Sequence, residues 1–225
     1  LQSPRIRNYH ACIECQGCAV TNELSKAVRA AAKGSGWSVK WDILSKRINE
    51  HALAVHPRRG IPRIVEFRAK PCAWDNLLWS ILQIEGNEKK PVSFHFTGAF
   101  ICDTPAIVQE NIEMPVDNEK LAQQMVNLSR RCLQMASTWQ GYDLDQAIAK
   151  EQPQEPYRYH TTRVLERICS GDRQAARDIC AAALQGDLDL RHRFHSVDKL
   201  MPPDADGRRP FLSFFQLAQL WMSRH

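Results

Sequence analysis

The sharpest chemical signal in the chain is the run His10-Ala11-Cys12-Ile13-Glu14-Cys15-Gln16-Gly17-Cys18. Three thiols at two-residue gaps, with an imidazole two positions ahead of the first, are metal-ligand types at metal-ligand spacing, because a short turn brings CxxC sulfurs together. The same run is similar to the opening of a bacterial ferredoxin cluster motif, but that motif continues to a further Cys followed by Pro, and none follows Cys18. A four-ligand set around Cys12, Cys15 and Cys18 would need His10 or a distant Cys, with zinc or iron as the metal. The competing reading is an N-terminal arm with reduced thiols, and we expect no tightly held metal or cofactor.

Other chemistry-bearing residues lack a complete pattern. Arg191-His192-Arg193-Phe194-His195, with Asp198 following, reads as a solvated basic helix end more readily than as a metal or phosphate site. Arg58, Arg59, Arg63, Arg68 and Lys70 make one hairpin strongly basic near Trp37 and Trp41, a combination that can bind single-stranded nucleic acid. Trp37 and Trp41 share the parity of Val39 and Ile43, however, which predicts core packing for both. His95 and Asp103 are acid–base types without a partner pattern, and no GxGxxG, GxxxxGK[ST], HExxH or GxSxG run occurs. The expectation is a binding protein, not an enzyme.

Charge is divided along the chain. Residues 1–70 carry 13 Lys/Arg against 5 Asp/Glu, a net of +8, whereas residues 71–157 carry 6 against 12, a net of −6. Within the acidic stretch Glu110, Glu113, Asp117 and Glu119 lie close together and are the candidate partner-binding residues, suited to steering onto a basic surface. The alternative is that they favour helix starts and water.

The elements that would position these groups follow from periodicity. Leu24, Val28 and Ala31 predict a helix over 21–33. Alternation then predicts strands at Trp37–Ile43, around Leu53 and Val55, and around Val65 and Phe67, with a turn at Pro57–Pro62. Trp74, Leu77, Leu78, Ile81 and Leu82 predict a helix over 74–85. Val92, Phe94 and Phe96 predict a fourth strand. Thr104-Pro105 reads as a cap followed by the first residue of a helix, and Asp117 as the cap of another with the stripe Leu121, Met125, Leu128, Cys132, Met135, Trp139. Gly171-Asp172 separates two further helices, and a last apolar helical face runs from Phe211. Cys132, Cys169 and Cys180 fall on helical stripes and read as small core residues.

The expected architecture is α+β: an antiparallel sheet of about four strands with helices packed on it, then an all-helical C-terminal extension. The expected division is an arm at 1–20 with the Cys cluster, an α+β domain at 21–150 and the extension at 157–225, after the linker Gln152-Pro153-Gln154-Glu155-Pro156. No apolar run approaches the ~18 residues that cross a bilayer, and the start Leu1–Arg5 lacks the apolar stretch of a signal peptide. With eight cysteines and no disulfide-scaffold density, a cytoplasmic location without membrane contact is expected.

The segments Trp74-Asp75-Asn76-Leu77-Leu78-Trp79-Ser80-Ile81 and Ser93-Phe94-His95-Phe96-Thr97-Gly98-Ala99-Phe100 resemble the DUF4304-like bacterial immunity proteins, small αβ proteins associated with protection against toxins delivered between competing cells. The resemblance covers about residues 22–140 and rests on element order. It implies a non-enzymatic inhibitor of one cognate protein toxin and carries over no individual binding residue. Nucleic-acid binding or regulation through the basic N-terminal region, with or without a zinc site, is the alternative function.

Overall fold

A computed structural model of the chain describes residues 17–58, 64–112, 117–137, 143–151, 156–188, 195–197, 199, 201–204 and 206–225. The chain order is α1 (Gly17–Ala31), β1 (Ser38–Lys40), β2 (Ile43–Ile48), β3 (His51–Arg58), β4 (Ile64–Pro71), α2 (Cys72–Ile81), α3 (Phe94–Thr97), β5 (Val108–Asn111), α4 (Asn118–Ser137), α5 (Leu144–Glu151), α6 (His160–Cys169), α7 (Arg173–Gln185), β6 (His195–Val197), β7 (Phe211–Ser213) and α8 (Phe214–Arg224). Strands β1 to β5 form one antiparallel sheet in sequential order, and β6 pairs with β7 in a separate ribbon. The class is α+β, as the periodicity predicts.

The sheet has two unlike faces. On one, Leu44, Leu53, Val55, Val65 and Phe67 pack against Leu24 and Val28 of α1 and Leu121, Met125, Leu128 and Cys132 of α4. This is the stripe expected of α4 as far as Cys132. Met135 is 41% exposed, and Trp139 lies outside the described residues. A second apolar cluster joins Trp74, Leu78 and Ile81 of α2 to Leu165 of α6, Cys180 of α7 and Phe214 of α8. The C-terminal helices thus share their core with α2.

Local rules explain the joints between helices. Gly171 adopts φ 87° and Asp172 accepts the Ala175 N–H at 3.1 Å, closing α6 and capping α7. Ser213 and Gln216 make a reciprocal capping box that starts α8 at Phe214, later than the apolar run suggested. Phe211 belongs to β7 and is 68% exposed.

Further expectations are corrected, and at 92–96 and after Thr104 the reason is that long-range partners outrank local pattern. Trp37–Ile43 is not one strand: Trp41 and Asp42 form a two-residue turn between β1 and β2, with Lys40 paired to Ile43. Trp37 is buried as predicted, but Trp41 is 56% exposed. Its φ of 57° is an outlier for a bulky side chain, worth about 1–3 kcal/mol of strain. Asn49 opens the corresponding β2–β3 turn at φ 49° with a side chain that tolerates it. The predicted fourth strand at 92–96 is a turn leading into α3; here Ser93 and His95, the polar positions, are the buried ones. The segment from Thr104 is extended, because the Ile107 N–H donates to the Phe67 carbonyl at 2.8 Å and leads into β5. Cys169 is exposed, while Cys132 and Cys180 are buried.

Candidate functional site

Strand β4 alternates as a half-solvated strand would: Val65, Phe67 and Ala69 on one face, Glu66, Arg68 and Lys70 on the other. All six are buried. Burying charge is costly unless it is paired and hydrogen-bonded, so the partners of the second face define the most unusual chemistry among the described residues.

Lys70 is 1% exposed, and its ammonium group points at Asp75 of α2, Oδ2 lying 2.8 Å away. The same ammonium donates to the Cys102 carbonyl at 2.7 Å and lies 3.7 Å from the Cys102 sulfur, over the Phe96 ring. Asp75 is equally saturated. Oδ2 also meets His95 Nδ1 at 2.7 Å, and Oδ1 accepts the Cys102 N–H at 2.8 Å. Burial is the largest single influence and works against both charges, but it is outweighed for Lys70 by Asp75 together with Cys102 and Asp103, and for Asp75 by Lys70 together with His95. The net effect raises the Lys70 pKa and lowers that of Asp75. Burial, and then the Asp75 charge, pushes the Cys102 thiol well above its ordinary value, so it is a poor nucleophile. Trp79 closes this end, stacking obliquely on His95 and donating its indole N–H to the Phe100 carbonyl at 2.7 Å.

Further along β4, Arg68 Nε and Nη2 donate to Glu66 Oε2 at 3.0 and 2.9 Å. Its Nη1 donates to Asp103 Oδ1 at 2.7 Å and the Thr104 carbonyl at 2.6 Å. Asp103 Oδ2 accepts from Arg158 Nη2 at 2.7 Å, and the Thr162 hydroxyl donates to the Asp103 carbonyl. Residues 100–104 thus form a strap drawn across the charged face by side chains of β4 and α2, and tied on its outer side to Arg158 and α6. Glu66 Oε1 is buried without a hydrogen bond, its nearest cation being Arg58 Nη1 at 3.5 Å.

His56 sits opposite Glu66 in the ladder, Nε2 lying 3.6 Å from Oε2. Burial, reinforced by the Arg68 charge, lowers its pKa despite Glu66. The unfolded chain therefore takes up this proton first. Stability from neutral His56 is present above the unfolded value of about 6.5 and is lost as pH falls through the lowered folded value. Thermal melts between about pH 7 and about pH 5 should fall more steeply for the unmodified chain than for His56→Gln. Equal slopes would refute the assignment.

The sequence-predicted residues fare as follows. His10, Cys12 and Cys15 lie outside the described residues, and Cys18 is described only through its backbone in α1. Among the described residues, no group of three or more His, Cys, Asp and Glu is placed to hold a metal. Glu113 lies outside the described residues. Glu110 pairs with Arg131, and Asp117 caps α4 through the Lys120 N–H at 2.7 Å, while Glu119 is exposed on the first turn of α4. Of the basic hairpin, Arg59 and Arg63 are outside the described residues, while Arg68 and Lys70 are interior ion-pair members. His192 and Asp198 are also outside them. His95 and Asp103, which no motif linked to anything, are brought into the buried network. The i, i+2, i+4 spacing of Glu66, Arg68 and Lys70 within an otherwise apolar strand was the available signal. Elsewhere an open cleft of about 700 Å³ lies between α5, α6 and α7, where Arg163 and Arg167 both grip Asp145.

Compared with known family models, curated proteins and solved structures, the chain matches none. No helix among the described residues is long and apolar enough to cross a membrane.

Proposed function

We propose that the chain is a non-enzymatic binding protein acting by direct contact with a protein partner, inhibition of a bacterial toxin being the form that the family resemblance implies. The observation that supports it is saturation of the Lys70–Asp75 part of the buried network. Both Asp75 oxygens and the Lys70 ammonium are engaged by protein groups, and the Cys102 thiol is held protonated. Groups arranged in this way are used up in holding the strap, whereas a catalytic acid or base must present its proton to a substrate. The free thiols at Cys72, Cys102, Cys132, Cys169 and Cys180 suit a reducing compartment, and we assign the protein to the cytoplasm.

Co-expression with a toxin encoded beside its gene tests this reading. Growth should be rescued, and the purified pair should elute as one stoichiometric complex. His95→Gln, which can still hydrogen-bond to Asp75, should rescue equally well provided circular dichroism shows it folded. Failure of rescue by a folded His95→Gln protein would argue for chemistry at that imidazole instead. Nucleic-acid binding is the second reading, favoured by the exposed Trp41 with Lys40 Nζ 5.3 Å from its ring centroid. Binding of oligonucleotides that weakens steeply with salt would support it.

A further inference from the structure

We infer that the Trp41 turn and the outer edge of β1 form a docking surface for an acidic, extended segment of a protein partner. The inference rests on the binding-protein reading and names the surface and the chemistry of what it takes.

Among the described residues Trp41 is the largest of the exposed hydrophobic side chains, and it is held in a backbone conformation that bulky residues avoid. The strain is over-determined from behind: the Ser25 hydroxyl of α1, itself buried, donates to the Trp41 carbonyl. A fixed aromatic that meets a partner loses little freedom on binding, which is why tryptophan recurs among the few residues that dominate interfaces. Strand β1 is the terminal strand of the sheet, and Ser38 and Lys40 on it are exposed. Such an edge offers main-chain donors and acceptors to an added strand.

Charge selects the occupant. Lys40 flanks the ring and Lys33 is exposed at the end of α1. The Lys46 ammonium lies 3.2 Å from where a Cβ on Gly36 would stand, just ahead of β1. Asp42 is the acid within the turn. A lysine on a short edge repels a second copy of the same edge but attracts a strand bearing carboxylates. The chain's own N-terminal residues are a poor occupant, since Arg5 and Arg7 outnumber Glu14.

The test uses a short labelled peptide alternating Glu and Val, its Lys-for-Glu counterpart, and oligothymidylate, each titrated against the full chain at low and high salt. The glutamate peptide should bind and the lysine peptide should not. Trp41→Gly should weaken that binding at least about tenfold while raising the melting temperature, because glycine accepts the turn at no steric cost. Glu88→Lys, at an exposed position away from the β1 edge, should leave it unchanged. Binding that survives Trp41→Gly, or is lost in Glu88→Lys alone, would overturn the assignment, as would oligothymidylate binding with no peptide binding. A toxin complex unaffected by Trp41→Gly would sink the surface while leaving the binding-protein reading intact. Absence of any complex would sink that reading itself.

Discussion

Replacing Asp75 with Asn should cost about 3–5 kcal/mol of folding stability, the largest effect expected of any near-isosteric change in this chain. The amide fills the same space, but it leaves the Lys70 ammonium inside the protein without an opposite charge, and it turns one acceptor oxygen into a donor facing donors. For a chain of this length each kcal/mol moves the melting temperature by roughly 2–4 °C, so a drop of about ten degrees is the expected result. The pH dependence fixes its interpretation. Asp75 is lowered, so its contribution is present above the unfolded carboxylate value and is lost only as pH falls through the lowered one. Lys70 is raised, so its contribution is present below the unfolded amine value and is lost only as pH rises through the raised one. The penalty should therefore be flat across neutral pH. Adding Lys70→Met to Asp75→Asn should recover part of the loss, since removing both charges costs less than stranding one. A double variant as unstable as the sum of its parts would show that the ion pair is not the coupling.

Arg68→Met should be nearly as damaging, again about 3–5 kcal/mol. One guanidinium serves Glu66, Asp103 and the Thr104 carbonyl, and Glu66 is 0% exposed. Without Arg68 a buried carboxylate keeps only the longer contacts to His56 and Arg58. Arg68→Lys should rescue little, because a single ammonium cannot span two carboxylates with a planar fork. Urea titration would show a lower midpoint at an unchanged slope if the variant still unfolds in one step. A midpoint shift under a tenth of the wild-type value would refute the claim that Arg68 holds the strap.

The sequence made the α+β class legible because period two and period 3.6 alternate cleanly, and Val65 and Phe67 were recognisable as a sheet face. It hid the opposite face. Glu66, Arg68 and Lys70 look like the solvated side of an ordinary strand, and only the strap, some thirty residues onward, makes them interior. The same long-range contact inverted the pattern at 93–95, where His95 turns inward because Asp75 awaits it. Trp41 was misplaced for a different reason. Parity counts side chains along a continuous strand, and a two-residue turn restarts the count. Thr104-Pro105 carries a sound helix-start signal that pairing with β4 overrides.

The strap differs from the elements around it in where its information is stored. Cys102 is held through its own N–H and C=O, and Phe100 and Thr104 through their carbonyls, while the groups that hold them belong to Asp75, Lys70, Trp79 and Arg68. Apart from the Asp103 carboxylate, which pairs with Arg68 and Arg158, what is specified within the strap is a route of main chain, and the other identities that matter lie elsewhere. Sequence drift at Cys102 toward another small residue would leave every one of its main-chain bonds in place, whereas the same drift at Lys70 would release the strap. Related chains would then be recognised by the spaced acid, guanidinium and amine of β4 long before the strap itself could be aligned.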